Sequence, residues 1–197
     1  MLTRRAAAIA LVFLVAGVVP VGAHHDRGSD RGAPLTPTGA GFTGWLEATA
    51  AATAMRQSLW LYPIVEILHI IGFVILVGSA AMFDLRLLGL SRELPVTGME
   101  RHLLTWARAS VLLIVPTGGL MFVAHATEFA GNPAFRLKLL FLVLAGLNAA
   151  VFHLRPFRQV AGWDRGAPAP LQARLAACLS LALWTGVIAC GRLLAYF

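Results

Sequence analysis

Four long apolar stretches dominate this sequence and decide what the chain can fold into. Each is close to the length of helix that crosses about 30 Å of hydrocarbon at a rise of about 1.5 Å per residue. Lipid accepts only helices or closed barrels, and these stretches lack the alternation of barrel strands. The sequence therefore predicts an all-α, four-helix transmembrane bundle, with spans at about Trp60–Phe83, Leu103–Ala124, Leu137–Leu154 and Leu175–Leu194.

The composition agrees with a chain whose main solvent is lipid. It is 58% hydrophobic and only 13% charged, whereas a typical soluble domain has about 25% charged residues. These values exclude an ordinary soluble domain and a disordered chain. With 197 residues in total, we expect one folded unit, the transmembrane domain of residues 59–197.

The first 58 residues are predicted to be a targeting segment and a linker. Residues 1–23 have the three parts of a secretory signal peptide: a basic start at Arg4 and Arg5, an apolar core, and a small-residue cleavage site ending at Ala23. The alternative is a signal anchor that is not cleaved. Residues 24–58 are interpreted as a short exported linker, rich in Gly and Pro at first and ending in a possible interfacial helix.

The basic residues predict the orientation of the bundle. The formal net charge is +7, which in a soluble protein would suggest nucleic-acid binding. With an exported N-terminus, the cytoplasmic side carries eight arginines, whereas the outer loop between the second and third spans and the C-terminus carry three basic residues, in agreement with the positive-inside rule. We therefore expect a multi-pass protein of the bacterial inner membrane with both termini outside, and no nucleic-acid partner. The eight arginines are Arg86, Arg92, Arg101, Arg108, Arg155, Arg158, Arg165 and Arg174.

A few ionisable residues lie within or beside the apolar spans. Glu66 and His69 are three residues apart and share one helix face. His69 is nine residues beyond Trp60, or about 13 Å deeper in the membrane. Antiparallel packing should bring His125 and Lys138 to the same outer half of the bundle. Because ionisable groups in lipid are costly, these four residues are the candidate functional site.

Three interpretations of this group remain open. His69 could ligate a haem iron, with Gly72 leaving room for the porphyrin, Glu66 or Lys138 holding a propionate, and His125 as a possible second ligand. Glu66 and His69 could instead bind a metal ion or a proton on a transport path. In the purely structural interpretation, Glu66 and Lys138 form an ion pair and His69 makes a hydrogen bond to a neighbouring helix.

A second polar group is predicted at the opposite ends of the helices. It contains His102, His153, Asp84 and Arg86. Because helix ends have access to water, a structural role is favoured for these histidines. The two cysteines lie twelve residues apart on one predicted helix, too far to form a disulfide with each other, and are interpreted as buried structural thiols.

A separate metal site is conceivable at the new N-terminus that signal cleavage would create. Cleavage after Ala23 would leave His24 and His25 next to a free amine, a donor set that suits copper(II). A chance histidine pair in a linker is the other interpretation.

Part of the chain resembles known families. The stretches SLWLYPIVEILHIIGFVILVGSAAMFDLRLLGL, ERHLLTWA, PTGGLMF and NPAFRLKLLFLVLAGLN, which lie between Ser58 and Phe157, resemble a group of uncharacterised bacterial four-helix inner-membrane proteins. The layout is also similar to CopD-type copper-resistance membrane proteins and HemJ-type protoporphyrinogen oxidases. The HemJ resemblance implies that His69 and Lys138, which match a histidine and a lysine associated with haem b, belong to a haem site. The CopD resemblance implies copper handling.

The leading hypothesis is an inner-membrane protein that binds haem b, or is otherwise redox-associated, through His69, with a possible redox or membrane-protein partner. The alternatives are a copper or proton-coupled transport component and a non-catalytic membrane subunit. The sequence has no nucleophile elbow, P-loop, HExxH motif or dinucleotide fingerprint, which disfavours common hydrolase and nucleotide chemistry. Whether the protein is an enzyme stays undecided at this point.

Overall fold

The computed structural model describes residues 41–194 and Tyr196. The predicted signal peptide, residues 1–23, and the histidine pair His24 and His25 lie outside the described residues, so both stay predictions.

The described chain is all-helical, with no strand in residues 41–194, and the predicted four-helix transmembrane architecture is confirmed. Short helices α1 and α2 precede the bundle, short helix α5 follows its second long helix, and a 3₁₀ helix follows its third. Four helices are long and apolar enough to cross a membrane. The helices are α1 (Phe42–Glu47), α2 (Ala50–Gln57), α3 (Leu61–Leu88), α4 (Val96–Ala124), α5 (Ala126–Gly131), α6 (Pro133–Leu154), the 3₁₀ helix (Pro156–Gly162) and α7 (Leu171–Leu193).

The long helices extend beyond the predicted apolar spans. The largest difference is at α4, which begins at Val96 directly after Pro95, whereas the apolar pattern placed its start at about Leu103. The additional residues, VTGMERH, are mostly polar, so hydropathy could not detect them although they continue the helix. Pro116 lies inside α4, and the helix is nevertheless assigned without a break.

The long helices pack in an antiparallel bundle in which α3 contacts both α4 and α7, and α6 contacts α7. Close approach depends on small residues, as expected for membrane helices. A side chain at Gly186 of α7 would lie 2.8 Å from the Phe141 ring of α6. By contrast, α4 and α6 make almost no close contact with each other, which leaves a gap between these two helices.

One end of the bundle, named here the Asp84 end, is closed by a buried arginine. Arg86 is 2% exposed. Its guanidinium donates hydrogen bonds to the backbone carbonyls of Leu94, Arg92 and Asp164, at 2.8, 3.0 and 3.1 Å. The sequence grouped Arg86 with candidate functional residues, whereas its contacts show that it joins the two loops at this end.

The opposite end, named the Tyr62 end, is covered by α1, α2 and α5. Arg56 of α2 donates to the carbonyl of Ala124 at 2.8 Å and to that of Glu47 at 2.6 Å. The Glu47 carboxylate accepts from the backbone N–H of Thr127 at 2.7 Å. These contacts fasten the short helices to the end of α4, next to the candidate functional site.

Candidate functional site

The predicted histidine of the first span occupies a fully buried position in the bundle. His69 is 0% exposed. Its Nδ1 atom lies 2.9 Å from Oγ1 of Thr117 on α4, and its Nε2 atom has no hydrogen-bond partner among residues 41–194. The predicted hydrogen bond between His69 and a neighbouring helix is therefore present.

The surroundings of Thr117 indicate which ring nitrogen carries the proton. The Thr117 hydroxyl lies 2.6 Å from the carbonyl of Leu113, to which it donates. Having one proton, the hydroxyl must accept the hydrogen bond from His69, so Nδ1–H is the donor. Nε2 of the neutral imidazole then carries a free lone pair. In metal-ligating histidines, a hydrogen bond from the other ring nitrogen fixes the tautomer in the same way.

Lys138 of α6 is the second deeply buried polar residue at this level. It is the only lysine in the sequence and is 1% exposed. Its Nζ atom has no hydrogen-bond partner within the part of the chain that the structure describes. A Cβ atom at Gly191 of α7 would lie 3.6 Å from this Nζ atom. The ammonium is within electrostatic range of both His69 and the buried thiol of Cys190. Three helices therefore contribute side chains around one interior point.

Two expectations about this site are wrong. No ion pair joins Glu66 and Lys138 among the described residues. Nor does Gly72 leave room for a flat cofactor, because a Cβ atom there would lie only 2.9 Å from Cγ1 of Ile114. Gly72 allows α3 and α4 to approach closely, and the space beside it is filled by α4.

His125 lies near the bundle end, next to Tyr62. The two rings meet edge to face, with centroids 5.6 Å apart. The Tyr62 hydroxyl and His125 Nδ1 are both buried, and neither has a hydrogen-bond partner among the described residues. Glu66 is half-buried and within electrostatic range of Tyr62. The described contacts thus place His125 and Glu66 around Tyr62, and Lys138 near His69.

The polar residues of the Asp84 end separate into different environments. His102 is exposed. His153 donates from Nδ1 to the carbonyl of Ala149 at 2.8 Å, and its Nε2 lies 3.6 Å from the Glu100 carboxylate. Asp84 is 6% exposed, and no described residue makes a hydrogen bond to its Oδ2 atom. Asp84, Glu100 and His153 line a cavity of about 560 Å³ between the long helices.

The expectation for the cysteines is only half right. Cys190 is buried, whereas Cys178 is exposed on α7, and both are free thiols. Cys178 lies within the span, so its exposed face is one that lipid would cover. Within residues 41–194, no three His, Cys, Asp or Glu side chains form a group suited to a metal ion.

Several residues of the site could not be recognised from sequence. Thr117 was read only as part of the PTGG segment, and Cys190 only as a structural thiol. The signal for Thr117 was a hydroxyl residue within an apolar helix, but nothing in the sequence indicated that it faces His69. Glu100 carried no signal at all, because it lies before the apolar part of its helix.

The four apolar helices expose apolar side chains along the spans and turn polar side chains inward. They define a multi-pass membrane protein. A family model matches residues 49–197, and the chain belongs to that family, described as a family of unknown function (DUF6644). No curated protein matches the chain, and no solved structure does.

Proposed function

We propose that this membrane protein binds haem b, as a redox-associated protein, with His69 as an axial ligand. The observation that carries the proposal is the Nε2 atom of the fully buried His69, which has no hydrogen-bond partner in the described part of the chain, on a ring held by Thr117. A lone pair without a partner in an apolar interior is costly, and coordination to iron would satisfy it.

Two of the residues expected at the haem site have side chains that suit haem, and a third expected residue does not contribute. The imidazole is in the correct tautomer, and the Thr117 hydrogen bond restricts its rotation. The buried Lys138 amine has no hydrogen-bond partner among the described residues, and in its protonated form it would pair with a propionate. Gly72 takes no part, because Ile114 fills the space beside it. When bound, haem would supply one-electron transfer.

A visible spectrum tests this proposal. The full chain is expressed with ample haem and purified in detergent, and the Soret band is measured per mole of protein. We expect a Soret band in the wild-type protein and its loss in His69→Ala. His102→Ala, which changes an exposed histidine, is the matched control and should keep the band. Absence of the band in the wild type, or an unchanged band in His69→Ala, would contradict the proposal.

A second candidate is transport of a copper ion or a proton. It is favoured by the succession of buried polar atoms without partners, from the Tyr62 hydroxyl through His69 Nε2 and Lys138 Nζ to Asp84 Oδ2 at the opposite end. Intramembrane ionisable groups of this kind mark ion and proton pathways. Transport in vesicles containing the purified protein should then fail in Glu66→Gln and in His69→Ala. Equal rates in protein-free vesicles would exclude it.

We further infer that the Asp84 end faces the cytoplasm of a bacterial cell. Eight of the fifteen arginines lie in the loop between α3 and α4, in the segment between α6 and α7, or in the parts of the helices next to them, in the sense of the positive-inside rule. A reporter enzyme that is active only outside the membrane should be active when fused after Arg192 and inactive when inserted after Arg165. The reverse pattern would invert the orientation.

A further inference from the structure

A cavity lies between the long helices at the Asp84 end, apart from the His69 site. Its volume is about 560 Å³, within the range of small-molecule sites, about 300–1,000 Å³. Neither His69 nor Lys138 lines it. Whatever this cavity binds is therefore a question separate from haem binding.

The cavity opens sideways, between α4 and α6. These helices form opposite walls of the cavity, yet they make almost no close contact. Towards the Tyr62 end, the gap is bounded by the stacked rings of Phe122 and Phe135, whose centroids are 5.6 Å apart. Towards the Asp84 end, it is bounded by His153 and Glu100. Two lining residues, Arg108 and Leu154, are exposed at its rim. A ligand would therefore enter from the lipid phase.

The walls suit a flat apolar ring. Phe83, Phe152, Phe157 and Trp184 all line the cavity. Phe83 and Phe152 meet edge to face, with centroids 5.6 Å apart, the geometry in which an aromatic cluster accepts a further ring. Most of the remaining lining is Ala and Leu, without polar atoms in the side chain.

The cavity also has a polar end with an unfilled hydrogen-bond acceptor. Asp84 is 94% buried, being 6% exposed. Ser180 lies beside its carboxyl group, but Oδ2 has no partner. His153 Nε2 is a second polar atom of the lining without a hydrogen bond, since the Glu100 oxygen is 3.6 Å away. A buried carboxyl oxygen without a donor is costly, and a ligand hydroxyl would satisfy it.

We propose that this cavity is a binding site for a membrane-dissolved aromatic alcohol of the quinol or phenol class, whose hydroxyl donates to Asp84 and whose ring packs among Phe83, Phe152 and Trp184. The gap between α4 and α6 is the route from the bilayer. The proposal requires only binding, so it holds for the protein with or without haem.

Binding is measured with the full chain in lipid nanodiscs, using a radiolabelled, singly prenylated hydroquinone under anaerobic conditions. Empty nanodiscs give the amount dissolved in lipid. We expect saturable binding to the wild-type protein. We expect the dimethyl ether of the probe, which has no donor, to compete at least tenfold more weakly. An amine with the same tail should also compete more weakly; tighter competition by the amine would overturn the assignment to aromatic alcohols.

Three variants test the location. Asp84→Leu removes the acceptor and should weaken hydroquinone binding at least tenfold, while leaving competition by the ether unchanged. Ala149→Phe places a ring inside the cavity and should abolish binding. Leu147→Phe adds the same ring on the exposed face of the same helix and should leave binding unchanged. Absence of saturable binding to the wild type, or unchanged binding in a folded Ala149→Phe variant, would overturn the proposal.

Discussion

Replacing Thr117 by valine should reveal how much the buried hydrogen bond to His69 contributes to stability. Valine keeps the shape of threonine and removes only the hydroxyl. The Nδ1 donor of His69 loses its partner, 2.9 Å away, and at 0% exposure it has no access to water. Leaving a buried donor unpaired costs about 1–3 kcal/mol, whereas hydrogen bonds between membrane helices average about 0.6 and reach about 1.7 kcal/mol. Full burial places this bond in the upper part of that range, so we expect a loss of about 1–2 kcal/mol.

The assay is reversible unfolding in mixed micelles, followed by circular dichroism, for a double-mutant cycle. Thr117→Val is measured in the wild type and in the His69→Leu background, where no donor remains to be left unpaired. Thr117→Ser, which retains the hydroxyl, serves as the control and should lose less. If Thr117→Val has the same effect in both backgrounds, the loss does not come from the contact with His69, and the tautomer argument for a free Nε2 fails with it.

Three further predictions concern packing and buried charge, each measured by the same unfolding assay. Gly186→Ala places a Cβ atom 2.8 Å from the Phe141 ring and should lower the free energy of unfolding by about 1–3 kcal/mol. The control Gly78→Ala, which has nothing within 4 Å of the added Cβ atom, should cause no measurable loss. Equal effects of the two substitutions would refute the packing argument. Arg86→Met leaves three backbone carbonyls without their donor and should lower the free energy of unfolding by about 3 kcal/mol. A loss below about 1 kcal/mol would show that the loops do not depend on the Arg86 side chain. Lys138→Met removes a buried polar group that has no hydrogen-bond partner among the described residues. It should raise the free energy of unfolding of the haem-free protein by about 1 kcal/mol, while decreasing the haem content of the loaded protein. A destabilised haem-free variant would instead mean that the buried amine is already compensated.

The architecture was largely accessible from sequence because hydropathy is a local property. Four apolar stretches of spanning length admit few arrangements in lipid, and all four predicted spans are present. The ends were less accessible. The first turns of α4 are polar, so their helical state depends on Pro95 and on contacts with the loops rather than on an apolar pattern.

The candidate site was accessible only in part. The depth of His69 follows from counting residues along one helix, and its burial is confirmed. The role of Gly72 was wrong, because a glycine in a helix is compatible equally with a cofactor and with a neighbouring helix. Only the position of Ile114 on another helix decides between them.

The sequence alone determined the solvent of this protein, the number of its spans and the depth of its polar residues, because each of these depends on properties summed along a single helix. The tertiary structure decided the partners. The rotation of the helices about their axes determines which residue faces His69 and where α4 and α6 separate to leave a cavity. It also leaves the Lys138 Nζ atom without a hydrogen-bond partner in the described part of the chain. That rotation is set by contacts between residues distant in the chain, such as Thr117 with His69, and no local pattern encodes them.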